Sequence, residues 1–462
     1  MSDAQAKLKS AWDEMIEMLE SARDGIDQPK YMPAPATDRN LAEGYRYLMG
    51  FVHSAVERAL HEDPVRPHFR NALSIITRST IDNPDAIYFF APIDGRKSYT
   101  LRGEMGDARH WQRGVAPAPT GRKAPHYLIF EVSSGCLAGD SGDLSELRPG
   151  MKAQTDKVDS GTLEVNDDGS FEILLAPERP PGHTGNFLST RKIVNRPHPT
   201  DPTIGPERYA TYVSGRQIFN DWGREDSAYL EITQNGAEGT SSEPLDPDKM
   251  AAQLREFGRI VRNQIHFWNA FWTIPMGTYG EREGAIPGVA FPRNAFNKMN
   301  AASAATGGGM ASNLYAGGVL ELAPDEAFIV ENRIKVEPNY IGFQLGNLWG
   351  ESLEYANNVS SRNGYQSHVD DDGVIRLVIA HEDPGVQNWL DTTGHSEVFM
   401  SPRWAYSVQP DPSDWPEISG RKVKLAELMD HLPKGTKMIT PEERRAEIAV
   451  RQRHVLKRYR AF

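Results

Sequence analysis

The sequence predicts a mainly β protein in which one β-rich unit occurs twice and is accompanied by helices. Residues 165–176 and 369–380 share an aspartate-rich turn with a glycine, followed by a run of mostly apolar residues. Upstream of these blocks, residues 127–132 match residues 340–345. The 40 glycines and 32 prolines favour many turns and therefore many short strands. Because matching blocks in the same order are hard to obtain by chance, we interpret them as a duplication.

Two further matches complete the duplicated unit. Each copy runs through a Pro-Gly turn into a short triplet, Asn-Phe-Leu at residues 186–188 and Asn-Trp-Leu at residues 388–390. Arg216 and Arg403 then close the first and the second copy. An Asp-Gly pair lies between two apolar segments in the first copy and recurs in the second, which is a strong signal for a β-hairpin.

Helical periodicity predicts two amphipathic helices before the first copy. Apolar residues recur at helical spacing between residues 8 and 19, including Trp12, and prolines from Pro29 onwards end the pattern. Thr37 can cap a second helix that ends near residues 63–64 (Asp-Pro). The expected core face of that helix carries Leu41, Tyr45, Leu48, Val52, Val56 and Leu60.

Two more helices are predicted, one between the copies and one near the C-terminus. Residues 246–247 (Asp-Pro) supply a cap and a first-turn proline for the connecting helix. The following segment, 277–318, is rich in Gly, Asn and Ala and is predicted to be a long loop. Thr440 and Glu443 form a capping sequence for the last helix. Its basic end, residues 451–460, indicates either a solvated or subunit-contacting tail or an anion site.

Composition excludes several classes of protein. The net charge of −12 is spread along the chain and disfavours nucleic acid as a partner. Cys136 is the only cysteine, so an intrachain disulfide and cysteine-rich zinc sites are excluded. No apolar run approaches the roughly 20 residues of a membrane span, and no uninterrupted apolar stretch marks a signal peptide. We therefore expect a cytoplasmic protein with no membrane partner.

Several motifs resemble bacterial proteins built from two domains of unknown function, numbered 1254 and 1214. Residues 81–88 and 216–222 carry a looser resemblance in the first copy. In the second copy the resemblance to the 1214 domain is closer and runs through residues 347–352, 381–385 and 388–391.

This resemblance implies a fold but no established chemistry. It implies a pair of jelly-roll-like β-sandwiches that assemble as oligomers, and Phe187, where the pattern has Trp, implies a degenerate site in the first copy. We expect two tandem related jelly-roll-like β-sandwich units, N-terminal helices, a long connecting helix and a C-terminal helix. The expected segments are an N-terminal helical segment (1–70), a first β-sandwich unit (71–235), a connecting helix and Gly/Asn-rich loop (236–318), a second β-sandwich unit (319–410) and a C-terminal extension with a basic helix (411–462).

The densest set of polar residues lies in the second copy and is the leading candidate site. His381 is a candidate acid or base, Asp383 is expected to orient it, and His395 is a further candidate catalytic residue. Asn and Arg could hold a polar substrate group, and Trp could supply a stacking wall. The candidate substrate-binding residues are Asn347, Trp349, Glu351, Asn388, Trp389 and Arg403. The alternative is structural, since Asp-Pro-Gly is an ordinary turn and tryptophan is ordinary sandwich core.

A second set comes from the first copy. It comprises Asp82, Asn83, Asp85 and Tyr88, with Arg216 and Asp221 as expected partners. Acids beside a buried aromatic strand need arginine or a metal for stability, so Asp85 and Tyr88 are candidate catalytic residues and Arg216 a candidate for substrate binding. The alternative is that Asn-Pro-Asp forms a turn.

Residues 266–272 of the connecting helix form a third set. They carry more aromatic side chains than one helix face needs. Trp268 and Trp272 are therefore either buried between the two sandwiches or line an apolar pocket that binds substrate.

These sets favour a cytoplasmic enzyme of small-molecule catabolism that uses acid–base chemistry, as a lyase, hydratase or isomerase, on an apolar oxygen-bearing substrate. Nucleotide-binding motifs are missing, so no organic cofactor is expected. His381, Asp383 and His395 could hold a divalent metal, but no fixed spacing requires one and no metal site is assigned. The alternatives are a glycoside or glycoconjugate hydrolase and a noncatalytic ligand-binding or scaffold protein. The expected partners are a small-molecule substrate and further copies of the chain in a homo-oligomer.

Overall fold

The protein is mainly β with helical additions, as the sequence predicts. The computed structural model describes residues 2–28, 37–112, 114–276, 290–299 and 313–459. Their α-helices are α1 (Asp3–Asp27), α2 (Asp38–His61), α3 (Pro247–Trp272) and α4 (Pro441–Arg458). The strands up to α3 are β1 (Arg70–Leu73), β2 (Ala86–Pro92), β3 (Tyr99–Glu104), β4 (Tyr127–Ser134), β5 (Ala153–Asp159), β6 (Ser170–Ala176), β7 (Asn186–Ser189), β8 (Arg191–Ile193), β9 (Glu207–Tyr209), β10 (Tyr212–Ile218) and β11 (Tyr229–Gln234). The later strands are β12 (Asn313–Tyr315), β13 (Gly318–Glu321), β14 (Glu326–Arg333), β15 (Tyr340–Gly346), β16 (Ser361–Asn363), β17 (Val374–Ala380), β18 (Trp389–Asp391), β19 (Glu397–Ala405) and β20 (Glu417–Lys424).

The chain divides into two units that are not simply its two halves. The first unit comprises Met1–Thr77, Ala86–Phe219 and Arg224–Phe271. The second unit comprises Arg78–Asp85, Asn220–Gly223 and Trp272–Phe462. Two short segments from the first half of the sequence therefore belong to the second unit, and they carry several of the predicted site residues.

In the first unit, two sheets enclose one hydrophobic core. The strand order is β1-β2-β10-β4-β5 in one sheet and β11-β3-β6-β7 in the other. Leu128, Phe130 and Val132 alternate along β4 and are buried in the same core as Leu101 on β3 and Ile173 on β6. This alternation, with the apolar face of each sheet turned to a shared core, is the arrangement of a β-sandwich.

The second unit repeats this topology. Its sheets have the orders β12-β19-β15-β16, with β13 also paired to β19, and β18-β17-β14-β20. Phe343 on β15, Phe328 on β14 and Leu377 on β17 are buried in one core. Among the described strands of each unit one pair is parallel, β6 with β7 and β17 with β18, whereas the other pairs are antiparallel. The blocks that suggested a duplication thus occupy equivalent strands.

The correspondence between the units extends to single residues. Arg216 on β10 lies opposite Ile129 on β4, and Arg403 on β19 lies opposite Gly342 on β15. The arginines that close the two sequence copies therefore occupy the same position in their sheets.

The asparagine of each triplet joins neighbouring segments of its unit. Asn388 donates from Nδ2 to the backbone oxygens of His368 (2.7 Å) and Arg376 (2.9 Å), and its Oδ1 accepts from the His368 amide (2.8 Å). Asn186 makes the same three bonds with the equivalent residues of the first copy. Asn388, a predicted substrate-binding residue, thus has a structural task that both copies share.

Asn388→Ala is expected to lower the free energy of unfolding by about 2–3 kcal/mol, because three part-buried backbone groups lose their partners. Asn186→Ala is the matched control. Its site is half-exposed, so water can replace the lost bonds, and the expected loss is about 1 kcal/mol. Urea denaturation of both variants measures the difference, and equal losses would contradict the assignment of the cost to burial.

The helices begin where the caps predict, but α2 buries a different face. Thr37 accepts from the amide of Asn40 (3.2 Å), and Thr440 forms a capping box with Glu443. The predicted core face of α2 is largely exposed, whereas Asn40, Gly44, Tyr47, Gly50, Phe51 and Ala55 are buried. A Cβ on Gly50 would lie 2.9 Å from the Ile76 oxygen, so the face with small residues is the one that permits close packing. In α1, Trp12 is likewise exposed, whereas Met15 of the predicted apolar pattern is buried, together with Ala11, Ala22 and Ile26.

The connecting helix also follows its predicted cap. Asp246 Oδ1 accepts from the Lys249 amide (2.8 Å), and α3 begins at the next residue, Pro247. Much of the predicted loop, residues 277–289 and 300–312, lies outside the described residues. None of the described helices combines the length and the apolar character needed to cross a membrane.

Candidate functional site

Buried polar residues gather beside the β12-β19-β15-β16 sheet of the second unit. On β15, Phe343 and Leu345 belong to the core, and Tyr340 and Gln344 alternate with them. Side chains alternate between the two faces of a strand, so these polar residues lie on the face opposite the core. We name the group the acid–arginine cluster, and it consists of Asp82, Asn83, Asp85, Tyr340, Gln344, Ser352, Asn363 and Arg403.

Asp85 has the most hydrogen-bonded carboxylate of the cluster. Its Oδ2 accepts from Tyr340 Oη (2.6 Å), and its Oδ1 accepts from Trp222 Nε1 (2.8 Å) and Asn363 Nδ2 (2.9 Å). Burial raises the pKa of Asp85, and the hydrogen bonds from Tyr340 and Asn363 offset part of this rise. A carboxyl group with a raised pKa can hold a proton and release it under mild conditions.

Glycine at position 342 makes room for the phenol of Tyr340. A Cβ on Gly342 would lie 2.3 Å from Tyr340 Oη, and Arg403 is the residue opposite Gly342 in the sheet. Burial and the charge of Asp85 raise the pKa of Tyr340 well above its usual value, so the phenol stays protonated and donates to Asp85. The acid, the phenol and the arginine are thereby held close together.

Asp82 and Arg403 form the second part of the cluster. Arg403 Nη2 donates to Gln344 Oε1 (2.6 Å), and Gln344 Nε2 donates to the backbone oxygen of Asp82. The carboxylate of Asp82 accepts from the amide (2.9 Å) and the hydroxyl (2.7 Å) of Ser352. Burial also raises the pKa of Asp82, against the hydrogen bonds from Ser352.

The predicted residues Asn347, Trp349 and Glu351 form a buried turn that adjoins this part. Asn347 Oδ1 accepts from the amides of Trp349 (3.0 Å) and Glu351 (3.2 Å), and Asn347 Nδ2 donates to Glu351 Oε2 (2.8 Å). The oxygen of Gly350, within the turn, accepts from the amide of Ile81 (2.9 Å). The turn thereby fixes the chain next to Asp82.

Two of the three buried arginines of helix α4 lie beside Trp222. The guanidinium of Arg458 lies 4.4 Å from the centre of the Trp222 ring and donates to the Pro84 oxygen. Arg451 lies 4.6 Å from the same ring. These two side chains are not part of a solvated tail, because the indole face and buried carbonyl groups bind them.

The residues of the candidate site that the sequence favoured most bind partners other than the expected ones. His381 contacts the Leu322 oxygen through Nε2 (3.1 Å) and Thr392 Oγ1 through Nδ1 (2.8 Å). Asp383 binds Arg444 Nε (2.9 Å), and among the described residues no hydrogen bond joins Asp383 to His381. The expected orientation of His381 by Asp383 is therefore replaced by an ion pair, because the buried Arg444 needs a counter-ion.

His395 and Trp389 also make mainly structural contacts. His395 Nδ1 lies 2.9 Å from the Thr392 oxygen and 3.0 Å from Thr393 Oγ1, and Trp389 Nε1 donates to the Ala380 oxygen (3.1 Å). In the described part of the chain, no group of three His, Cys, Asp or Glu residues is arranged to hold a metal ion. The catalytic roles assigned to these histidines remain predictions.

In the first unit, the arginine at the position of Arg403 has a carboxylate beside it that neutralises its charge. Tyr127, Ile129, Glu131 and Arg216 occupy the positions of Tyr340, Gly342, Gln344 and Arg403. A carboxylate thus replaces the amide of Gln344, and Glu131 lies 4.0 Å from Arg216. Arg216 also lies 5.7 Å from the ring of Tyr88, so these two predicted residues do meet.

The two predicted tryptophans of α3 differ in environment. Trp268 is half-buried, donates to Gln264 Oε1 (2.7 Å) and packs edge-on against Phe271. Trp272 is buried, donates to the Leu348 oxygen (2.6 Å) and packs against Phe399. Trp272 is therefore part of the core of the second unit.

Sequence reasoning missed Tyr340, Gln344, Ser352 and Asn363 as site residues. For Tyr340 and Gln344 a signal was present, since they alternate with core residues in a strand that was predicted correctly. Asn363 gave no such signal, because its three-residue strand is too short to show a period.

Comparisons with known proteins support the fold and assign no activity. The family model described as "Protein of unknown function (DUF1214)" matches residues 146–195, which lie in the first copy, although the sequence resemblance was closer in the second. An uncharacterised protein of Burkholderia cenocepacia is 25% identical with a TM-score of 0.70, over 92% of this chain and 99% of that one. A protein of Vibrio parahaemolyticus is 10% identical with a TM-score of 0.39, over 87% of this chain and 99% of that one. No curated protein matches the chain.

Proposed function

We propose that the chain is an enzyme that uses acid–base chemistry, as a lyase, hydratase or isomerase, on a small oxygen-bearing molecule. The observation that carries this proposal is the pair formed by Asp85 and Tyr340, whose oxygens lie 2.6 Å apart in a buried environment. A carboxyl group with a raised pKa can transfer a proton, and the phenol that donates to it can stabilise the negative charge left on the carboxylate. Both effects are stronger where water is excluded.

The neighbours of this pair suit the same chemistry. Arg403 lies opposite Gly342, next to the Tyr340 phenol, and can orient a polar substrate group. The chemistry requires no organic cofactor, and we propose none. The predicted homo-oligomer and the predicted cytoplasmic location remain expectations.

A noncatalytic ligand-binding protein is the second candidate. It is favoured by the observation that both carboxylate oxygens of Asp85 already accept hydrogen bonds, as in a purely structural network. The glycoside hydrolase has less support. It requires two carboxylates that face one cleft, and both oxygens of Asp82 are bound by Ser352.

Tyr340→Phe is expected to reduce turnover by about 10²-fold, because it removes a donor that stabilises negative charge. The measurement is a mass-spectrometric screen of small hydroxy and carbonyl compounds with the purified full chain, followed by kcat for each converted compound. Tyr127→Phe is the matched control at the equivalent strand position and is expected to leave kcat unchanged. Equal kcat for wild type and Tyr340→Phe on a converted compound would refute the catalytic role.

A further inference from the structure

Three buried side chains beside Asp82 have donor groups without acceptors. Arg78 is 7% exposed, Ser79 is 1% exposed and Arg403 is 7% exposed. Among the described residues, nothing accepts from Nε and Nη1 of Arg78 or from Nε of Arg403, and Oγ of Ser79 has no partner. Buried guanidinium groups are rarely left this way, because their desolvation is not compensated.

The backbone that carries two of these side chains is strained. The amide of Asp82 donates to the Ser79 oxygen (3.0 Å) and closes a turn whose central residues, Thr80 and Ile81, have φ values of +62° and +56°. Such turns normally use Asn-Gly, and a β-branched residue at positive φ is an outlier. Strain of this kind persists where the surroundings enforce it, and it is concentrated at functional sites.

The carboxylate of Asp82 forms no ion pair within 4 Å with either arginine among the described residues. Asp82 is close enough to Arg78 and Arg403 for both charges to lower its pKa, yet its carboxylate binds Ser352. Arg403 has a second, satisfied donor, Nη2, which is fixed by Gln344 Oε1 (2.6 Å) and the Ile81 oxygen (3.2 Å). The guanidinium is therefore held in one orientation with Nε unused.

We propose that Arg78, Ser79 and Arg403 form a binding site for the carboxylate group of a small organic acid. A carboxylate offers two oxygens with several lone pairs in a plane, which matches guanidinium N–H groups and leaves an acceptor for a serine hydroxyl. One negative charge balances part of the two positive charges. In the first unit, the carboxylate of Glu131 already lies beside the equivalent arginine, Arg216.

The site does not depend on the proposed acid–base function, because binding can be measured without turnover. Isothermal titration of the full chain with sodium benzoate and sodium acetate is expected to give saturable binding, whereas sodium chloride at equal ionic strength gives none. Arg78→Met and Arg403→Met are each expected to weaken benzoate binding at least 10-fold, and Ser79→Ala about 3-fold. Arg333→Met, which removes an exposed arginine of the second unit, is expected to leave binding unchanged.

Thermal unfolding distinguishes a carboxylate-binding role of Arg78 from a purely structural one. In anion-free buffer, Arg78→Met is expected to melt at the same temperature as the wild type or higher, because an uncompensated buried charge is removed. A lower melting temperature together with unchanged benzoate binding would assign Arg78 a structural role and overturn the proposal. No saturable carboxylate binding by the wild type, or binding of inorganic phosphate alone, would also overturn it. Carboxylate binding without any turnover would retain the site and reject the enzymatic function.

Discussion

Arg451→Met is expected to lower the free energy of unfolding by about 3–5 kcal/mol, because three buried acceptors lose their donor. Arg451 is 1% exposed and donates to the Tyr355 oxygen (3.0 Å), the Ser361 oxygen (3.1 Å) and Ser361 Oγ (2.8 Å). Burial lowers the pKa of this guanidinium to about 10, so it remains charged at neutral pH. Methionine fills a similar volume but leaves these acceptors buried without donors.

Arg453→Met is the matched control, since Arg453 lies on the same helix but is exposed. Its expected effect is within about 0.5 kcal/mol, as for most surface substitutions. Urea denaturation followed by tryptophan fluorescence measures both variants, and Trp222 lies 4.6 Å from Arg451. If both variants lost the same free energy of unfolding, the positive charges of α4 would stabilise the fold, and the buried hydrogen bonds of Arg451 would contribute nothing more.

The parts of the fold that the sequence predicts well are those with local signals. The apolar run at residues 127–132 predicts β4, and the duplication supplies the matching block at residues 340–345 that becomes β15. Helix starts are equally local, because Thr37 and Thr440 cap amides only three residues away. The helical period predicted for α2 is also confirmed, but the period alone does not show which face of the helix is buried.

The predictions that failed are those that depend on contacts between residues far apart in the sequence. No local pattern places Arg78–Asp85 in the second unit, although this segment carries much of the candidate site. The expected contact of Asp383 with His381 is displaced by Arg444, which follows Asp383 by 61 residues. Asp85 and Arg403 were both predicted, but in different sets, because their proximity depends on the same long-range arrangement.

Asp85→Asn is expected to reduce turnover by about 10²–10⁴-fold, the usual contribution of a positioned acid or base. Asparagine has the same shape, and its oxygen can still accept from Trp222 and Asn363, so the fold is expected to persist. The pH–rate profile of the wild type should contain an ionisation that the residual activity of the variant lacks. An unchanged kcat would reject Asp85 as the catalytic acid or base.

The same substitution tests the raised pKa of Asp85 independently of any substrate. The folded-state pKa lies above the unfolded value of about 3.9, so the folded protein binds the proton more tightly. Asp85 therefore stabilises the fold at low pH, and this contribution is lost as the pH rises from about 4 through the folded-state pKa. The free energy of unfolding of the wild type minus that of Asp85→Asn should fall with rising pH when both are measured by urea denaturation between about pH 4 and pH 8. A difference that rises with pH would mean that the hydrogen bonds and the arginines lower the pKa of Asp85 more than burial raises it. Asp85 would then be a structural residue that is charged at neutral pH.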